Sequence, residues 1–185
     1  MKKLSLLFSR LSSTPVAALS FAVSVLFIAF VLPHFSTLID TASSGMGMPD
    51  RLFYYNAERL GQIVQAYSAQ GRWVYVRCAA TYDTAWPAIY ISFLCISISW
   101  LNNFSLKPDS RFKQLNLIPL ICALFDAFEN LNLSIIMMTF PDTLELLLNT
   151  AGIFTAGKWV AAGLSFSVLT GSIIHAVLKQ AHKVP

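Results

Sequence analysis

The stretch LNLIPLICALFDAFENLNLSIIMMTF, residues 115–140, decides the class of this chain. It exceeds the roughly 20 apolar residues that a helix needs to cross about 30 Å of hydrocarbon. Yet it holds Asp126 and Glu129 near its middle. Working outward, three further windows of similar length and apolarity occur, at about 15–38, 79–101 and 150–178. The apolar residues run continuously, without the short alternating stretches of a transmembrane barrel, so helices are the expected spanning element. The expected fold is all-α: a polytopic transmembrane four-helix bundle forming a single domain over residues 1–185.

Composition agrees with this reading. Apolar residues make up 56% of the chain and charged residues 12%, whereas a soluble domain is about a quarter charged. Mean hydropathy is +0.61. The first window follows Lys2, Lys3 and Arg10 and precedes the small residues Ala42–Gly45, which imitates a secretory signal. Its apolar run is longer than a signal core of about 7–15 residues, and an uncleaved anchor is expected.

Lys and Arg beside the spans resist translocation and so set orientation. Lys2, Lys3, Arg10, Lys107, Arg111, Lys113, Lys179 and Lys183 fall on one side with only Asp109 as an acid. Arg51, Arg59, Arg72 and Arg77 fall on the other, against Asp40, Asp50, Glu58, Asp142 and Glu145. The first side, with both termini, is expected to be cytoplasmic, and the bilayer is the first expected partner. The dispersed basic residues form no nucleic-acid footprint. Cys78, Cys95 and Cys122 lie far apart and make no zinc or redox motif, so they read as small core residues and no metal is expected.

The segment at about 40–78, expected on the outer face, contains a short amphipathic helix. Asn56 is its expected N-cap, and Leu60, Ile63, Val64 and Tyr67 recur at helical spacing up to Gly71. Such a helix lies on the membrane surface or caps the bundle. Beyond it Arg72, Trp73, Tyr75 and Arg77 run into the second span, where Tyr82, Trp86 and Tyr90 suit the interface.

Ionisable groups inside a bilayer are costly and normally face the protein interior with partners. In the third span Cys122, Asp126, Glu129 and Asn130 fall at i, i+4, i+7 and i+8, on one helical face. Two carboxylates so close repel if both are ionised, so a proton or a cation must balance them. At about 1.5 Å per residue, Glu129 lies roughly 15 Å and Lys158 roughly 13 Å below the same end of their antiparallel helices. Lys158 is therefore expected to meet Glu129 or Asp126. Asp83 is expected to pair with Arg72 or Arg77, and His34, beside Pro33, reads as a hydrogen-bonded structural residue, with a place on a cavity shared with Asp83 as the alternative.

Gly71-Arg72, Tyr75, Asp83, Pro87 and Tyr90, then Ile118-Pro119, Asp126 and Glu129-Asn130, then Pro141 and Lys158-Trp159 together resemble a group of mostly bacterial four-span membrane proteins. Their pattern is Gly-Arg…Tyr…Asp…Pro…Tyr, Leu-Pro…Asp…Glu-Asn and Lys-Trp. Ile118 departs from it. The resemblance implies a bacterial inner membrane location and supplies no reaction.

The polar residues point to three functions. In the first, Asp126, Glu129 and Lys158 form a catalytic or binding centre for a lipid-like or amphiphilic molecule, with Asn130, Asp83, Arg72, Arg77 and Tyr90 as binding residues. In the second the chain is a structural or accessory subunit of a larger membrane complex, its buried charges fixing helix register. In the third an oligomer carries protons or ions. No nucleophile motif or phosphate loop is present, and no cofactor is indicated.

Overall fold

The computed structural model describes residues 2–182, which are mostly helical and contain no strand. Lys183 lies outside the described residues. Four helical spans are long and apolar enough to cross a membrane: Thr14–Ala42, Ala69–Ser105, Arg111–Thr139 and Glu145–Ala181. The all-α class follows directly.

All four spans are longer than hydropathy alone indicates, because caps rather than apolarity end a helix. The second begins ten residues before its apolar window, at Ala69, where the Ser68 side chain accepts a hydrogen bond from the Gly71 N–H at 3.0 Å. Arg72, Tyr75 and Arg77 thus lie within the spanning helix itself. That helix breaks once, at Thr81, before continuing over Tyr82–Ser105. In the first span Pro33 has no N–H to donate, and the turn before it widens to a π-helix over Phe27–Val31.

The chain divides into two compact units, each drawing on all four spans. The first comprises residues up to Val25, Ile89–Cys122 and residues from Val160 onward. Polar side chains join its segments by hydrogen bonds across an otherwise apolar interior. Asn116 donates to Ser99 Oγ at 2.7 Å and to the Ser5 carbonyl at 3.1 Å. Trp100 donates to Thr14 Oγ1 at 3.1 Å, and Lys179 to the Ser105 carbonyl at 2.9 Å. Lys2–Leu11 forms a helix of its own, with Leu4, Leu7 and Leu11 exposed as on an interfacial helix.

The second unit, Leu26–Ala88 and Ala123–Trp159, has an apolar core of Phe35, Ile39, Leu133, Ile136 and Met137, joined by residues from the connection between spans one and two. In that connection Asn56 caps the helix Ala57–Ala66 by accepting from the Arg59 N–H at 2.9 Å. Leu60, Ile63 and Val64 are buried in the core, so this helix caps the unit and does not rest its apolar face on lipid. It ends at Ala66 rather than Gly71, because Ser68 opens the next helix. Tyr67 closes the connection by donating to the Gly47 carbonyl at 2.8 Å.

Candidate functional site

Spans three and four approach closely in the second unit. A Cβ on Gly157 would lie 2.5 Å from the Phe125 ring, so only glycine permits this spacing. One residue further, Lys158 points into a cluster of acids. Its Nζ contacts Glu129 Oε2, with Asp126 Oδ1 at 3.4 Å and Asp50 Oδ2 at 3.5 Å. Lys158 is 8% exposed and Glu129 fully buried. The pairing expected between Lys158 and the third span occurs with both carboxylates, and a third arrives from the connection between spans one and two.

Asp50 is delivered by backbone contacts. Trp159 Nε1 donates to the Asp50 and Leu52 carbonyls, both at 3.1 Å. The adjacent Lys-Trp pair therefore binds one short segment twice, the indole by its carbonyls and the ammonium by its carboxylate. Two turns earlier the same segment lies directly on span four, where a Cβ on Gly152 would come within 2.0 Å of the Tyr55 carbonyl. The Tyr55 hydroxyl lies 2.9 Å from Thr155 Oγ1, which is 2.5 Å from Glu129 Oε1. An ionised carboxylate only accepts and threonine has one proton, so the chain of donors runs from Tyr55 through Thr155 to Glu129. Tyr55, Thr155, Glu129 and Lys158 form a continuous path along which a proton can be held or moved.

Burial raises the Tyr55 and Tyr67 phenols well above their usual range. The unfolded phenols therefore release protons first as pH rises, and stability is lost above the ordinary phenol range near about 10. In an alkaline absorbance titration, at least these two of the six tyrosines are expected to ionise only on unfolding. Six phenols titrating together near pH 10 would contradict their burial.

Asp83 does not join Arg72 or Arg77. Among the described residues it makes no ion pair, and its electrostatic neighbours are Asp50, Asp126, Lys158 and Glu129. Its position follows from the backbone. Pro87 has no N–H to offer the Asp83 carbonyl four residues earlier, and Asn130 Nδ2 donates to that carbonyl at 3.1 Å. Asn130 thus supplies the bond that Pro87 omits and holds Asp83 beside the cluster. Asn130→Leu is expected to cost about 1–3 kcal/mol in denaturant unfolding. In a Pro87→Ala background, which restores the helical N–H, most of that cost should disappear. Equal costs in both backgrounds would rule out the repair.

The other sequence candidates lie apart from the cluster. Arg72 donates to the Tyr67 carbonyl at 2.8 Å and sits 4.8 Å over the Phe140 ring. No contact of Arg77 with the cluster occurs among the described residues. Tyr90 belongs to the first unit, its hydroxyl 3.0 Å from Cys122 Sγ. His34 lines a cleft of about 610 Å³ with Thr37, Gln65 and Ser68, whose lining shares no residue with the cluster. Among the described residues no group of three or more His, Cys, Asp or Glu has the arrangement of a metal site.

No protein-family model, curated protein or solved structure matches this chain. The function must be argued from the cluster itself. Sequence reading missed Asp50, Tyr55 and Thr155 as members. Asp50 and Tyr55 lie in a connection without periodicity, and Thr155 is one polar residue among several in span four. Its spacing of three before Lys158, on the same face, is the one signal that would have found it.

Proposed function

We propose that this chain is an integral membrane protein whose buried centre binds the polar end of an amphiphilic molecule and exchanges a proton with it through Asp126 or Glu129. One observation carries this: beside the ion cluster, Asp50 Oδ1, Asp83 Oδ2, Tyr75 OH and Asn130 Oδ1 are buried without a hydrogen-bond partner among the described residues. Two of these oxygens belong to carboxylates, and a buried oxygen without a partner costs free energy that a bound polar group would recover. The basic residues of the connection between spans two and three, and of the N-terminal region, support a cytoplasmic placement of both termini in a bacterial inner membrane. The site then draws on the connection at the opposite face.

Mild extraction of the native protein followed by lipid mass spectrometry tests this. A co-purifying amphiphile is expected in the wild type and lost in Asp126→Asn with Glu129→Gln. The accessory-subunit alternative is favoured by the enclosure of Lys158 among three carboxylates. It predicts a protein partner in fixed ratio, no amphiphile, and complexes that fall apart in the same variants.

A further inference from the structure

We propose that the cleft between the N-terminal helix and the connection joining spans two and three binds a phosphate group, carried by an anionic phospholipid. This site lies in the first unit and goes beyond the buried centre, whose residues belong to the second. At about 3.6 residues per turn the helix Lys2–Leu11 has two distinct faces. Lys2, Ser5 and Ser9 fall on one, and Leu4, Leu7 and Leu11 on the opposite one. The leucines are exposed, as on the face that an interfacial helix gives to lipid. The other face packs on residues 111–117. Ser5 Oγ donates to the Lys113 carbonyl at 3.2 Å, and Asn116 Nδ2 to the Ser5 carbonyl at 3.1 Å. Asn103, from span two, donates to the Ser9 carbonyl at 2.8 Å. The helix is thus fixed against its neighbours before any ligand arrives.

A cleft of about 270 Å³ remains between these elements, with Lys2, Ser5, Ser9, Asp109, Arg111 and Lys113 in its lining. Three of them are cations and one is an acid, and among the described residues Asp109 forms an ion pair with none of the three. Excess positive charge beside hydroxyls selects an oxyanion, and the planar donor fork of Arg111 matches phosphate oxygens. Lys113 Nζ donates to Asn103 Oδ1 at 3.3 Å, which occupies one of its three donors and leaves two for a ligand. Depth selects the carrier. The 29 residues of span three cover roughly 43 Å, the hydrocarbon and both headgroup layers together. Arg111, its first residue, therefore stands at headgroup level. Basic pockets at that depth take anionic headgroups. A volume at the lower edge of small-molecule sites, which start near about 300 Å³, takes the headgroup and leaves the acyl chains in the bilayer.

The test titrates the full chain, in an uncharged maltoside detergent, with phosphatidylglycerol and reads bound lipid by native mass spectrometry. Phosphatidylglycerol should bind, and phosphatidylcholine, whose quaternary ammonium cancels its phosphate, should bind about tenfold more weakly or not at all. Arg111→Gln and Lys113→Gln should each weaken phosphatidylglycerol about tenfold, the loss of one charge-assisted contact. Arg10→Gln and Lys107→Gln remove the same charge from outside the cleft lining, and screening should hold their effect below about twofold. Asp109→Asn should tighten binding severalfold, a gain that misfolding cannot imitate. Equal losses from all four neutralised cations would reduce the site to diffuse attraction and overturn it. Equal binding of the two lipids, binding of neither, or no gain in Asp109→Asn would overturn it as well. Soluble glycerol phosphate separates the carriers: if it binds as tightly, with the same dependence on Arg111, Lys113 and Asp109, the phosphate site stands and the lipid is overturned as its source.

Discussion

Lys158→Met is expected to prevent folded protein from accumulating in membranes. The methionine keeps the apolar stem and removes the charge that three carboxylates face, one of them fully buried. Removing one partner of a buried ion pair costs about 3–5 kcal/mol. Here three acids lose the same partner, in a chain whose total stability is of the order of 5–15 kcal/mol. The loss is specific to charge, and so it should be reversible by charge. Combining Lys158→Met with Asp126→Asn and Glu129→Gln should restore accumulation, measured as monodisperse protein after detergent extraction. If Lys158→Met accumulates normally by itself, or if the triple variant is no better than the single, the cluster is not held together by its lysine.

Gly152→Val should be comparably severe for a steric reason. Its first added carbon would sit 2.0 Å from the Tyr55 carbonyl and 3.2 Å from the Tyr54 ring. A backbone carbonyl cannot rotate away as a flexible side chain can, so the connection must lift from span four. With it go the Tyr55–Thr155 hydrogen bond and the segment carrying Asp50. A loss of about 3 kcal/mol or more is expected, in the range of overpacked sites. The same substitution at Gly163 or Gly171, where nothing lies within 4 Å, supplies the control within one helix. Those variants should unfold close to the wild type. Three equal effects would point to helix propensity and not to the Tyr55 contact.

Hydropathy is enough to place four spans because crossing hydrocarbon makes a demand on length and solvation that few other sequences meet. Depth along antiparallel helices is enough to bring Lys158 to Glu129, since both positions follow from a fixed rise per residue. What escapes is whatever depends on tertiary placement of non-periodic chain. Asp50 looks like one more acid in a connection until the Trp159 indole binds its carbonyl. Arg72 looks like a partner for Asp83 because opposite charges near one another in sequence suggest pairing. Helix geometry instead turns Arg72 toward Tyr67 and Phe140. The early start of the second span was equally hidden, because one serine side chain, not apolarity, decides where that helix begins.

The hydrogen bond missing at Pro87 in span two carries a consequence for how the chain is made. Until Asn130 arrives, the Asp83 carbonyl lacks the bond that Pro87 cannot give, and Asn130 is synthesised only with span three. A nascent chain halted after Ser105 therefore holds an incomplete helix, one that gains by staying beside the insertion machinery instead of partitioning into lipid. Crosslinking of stalled chains should show the second span retained at the insertion site until Asn130 has emerged, and released early when Pro87 is alanine.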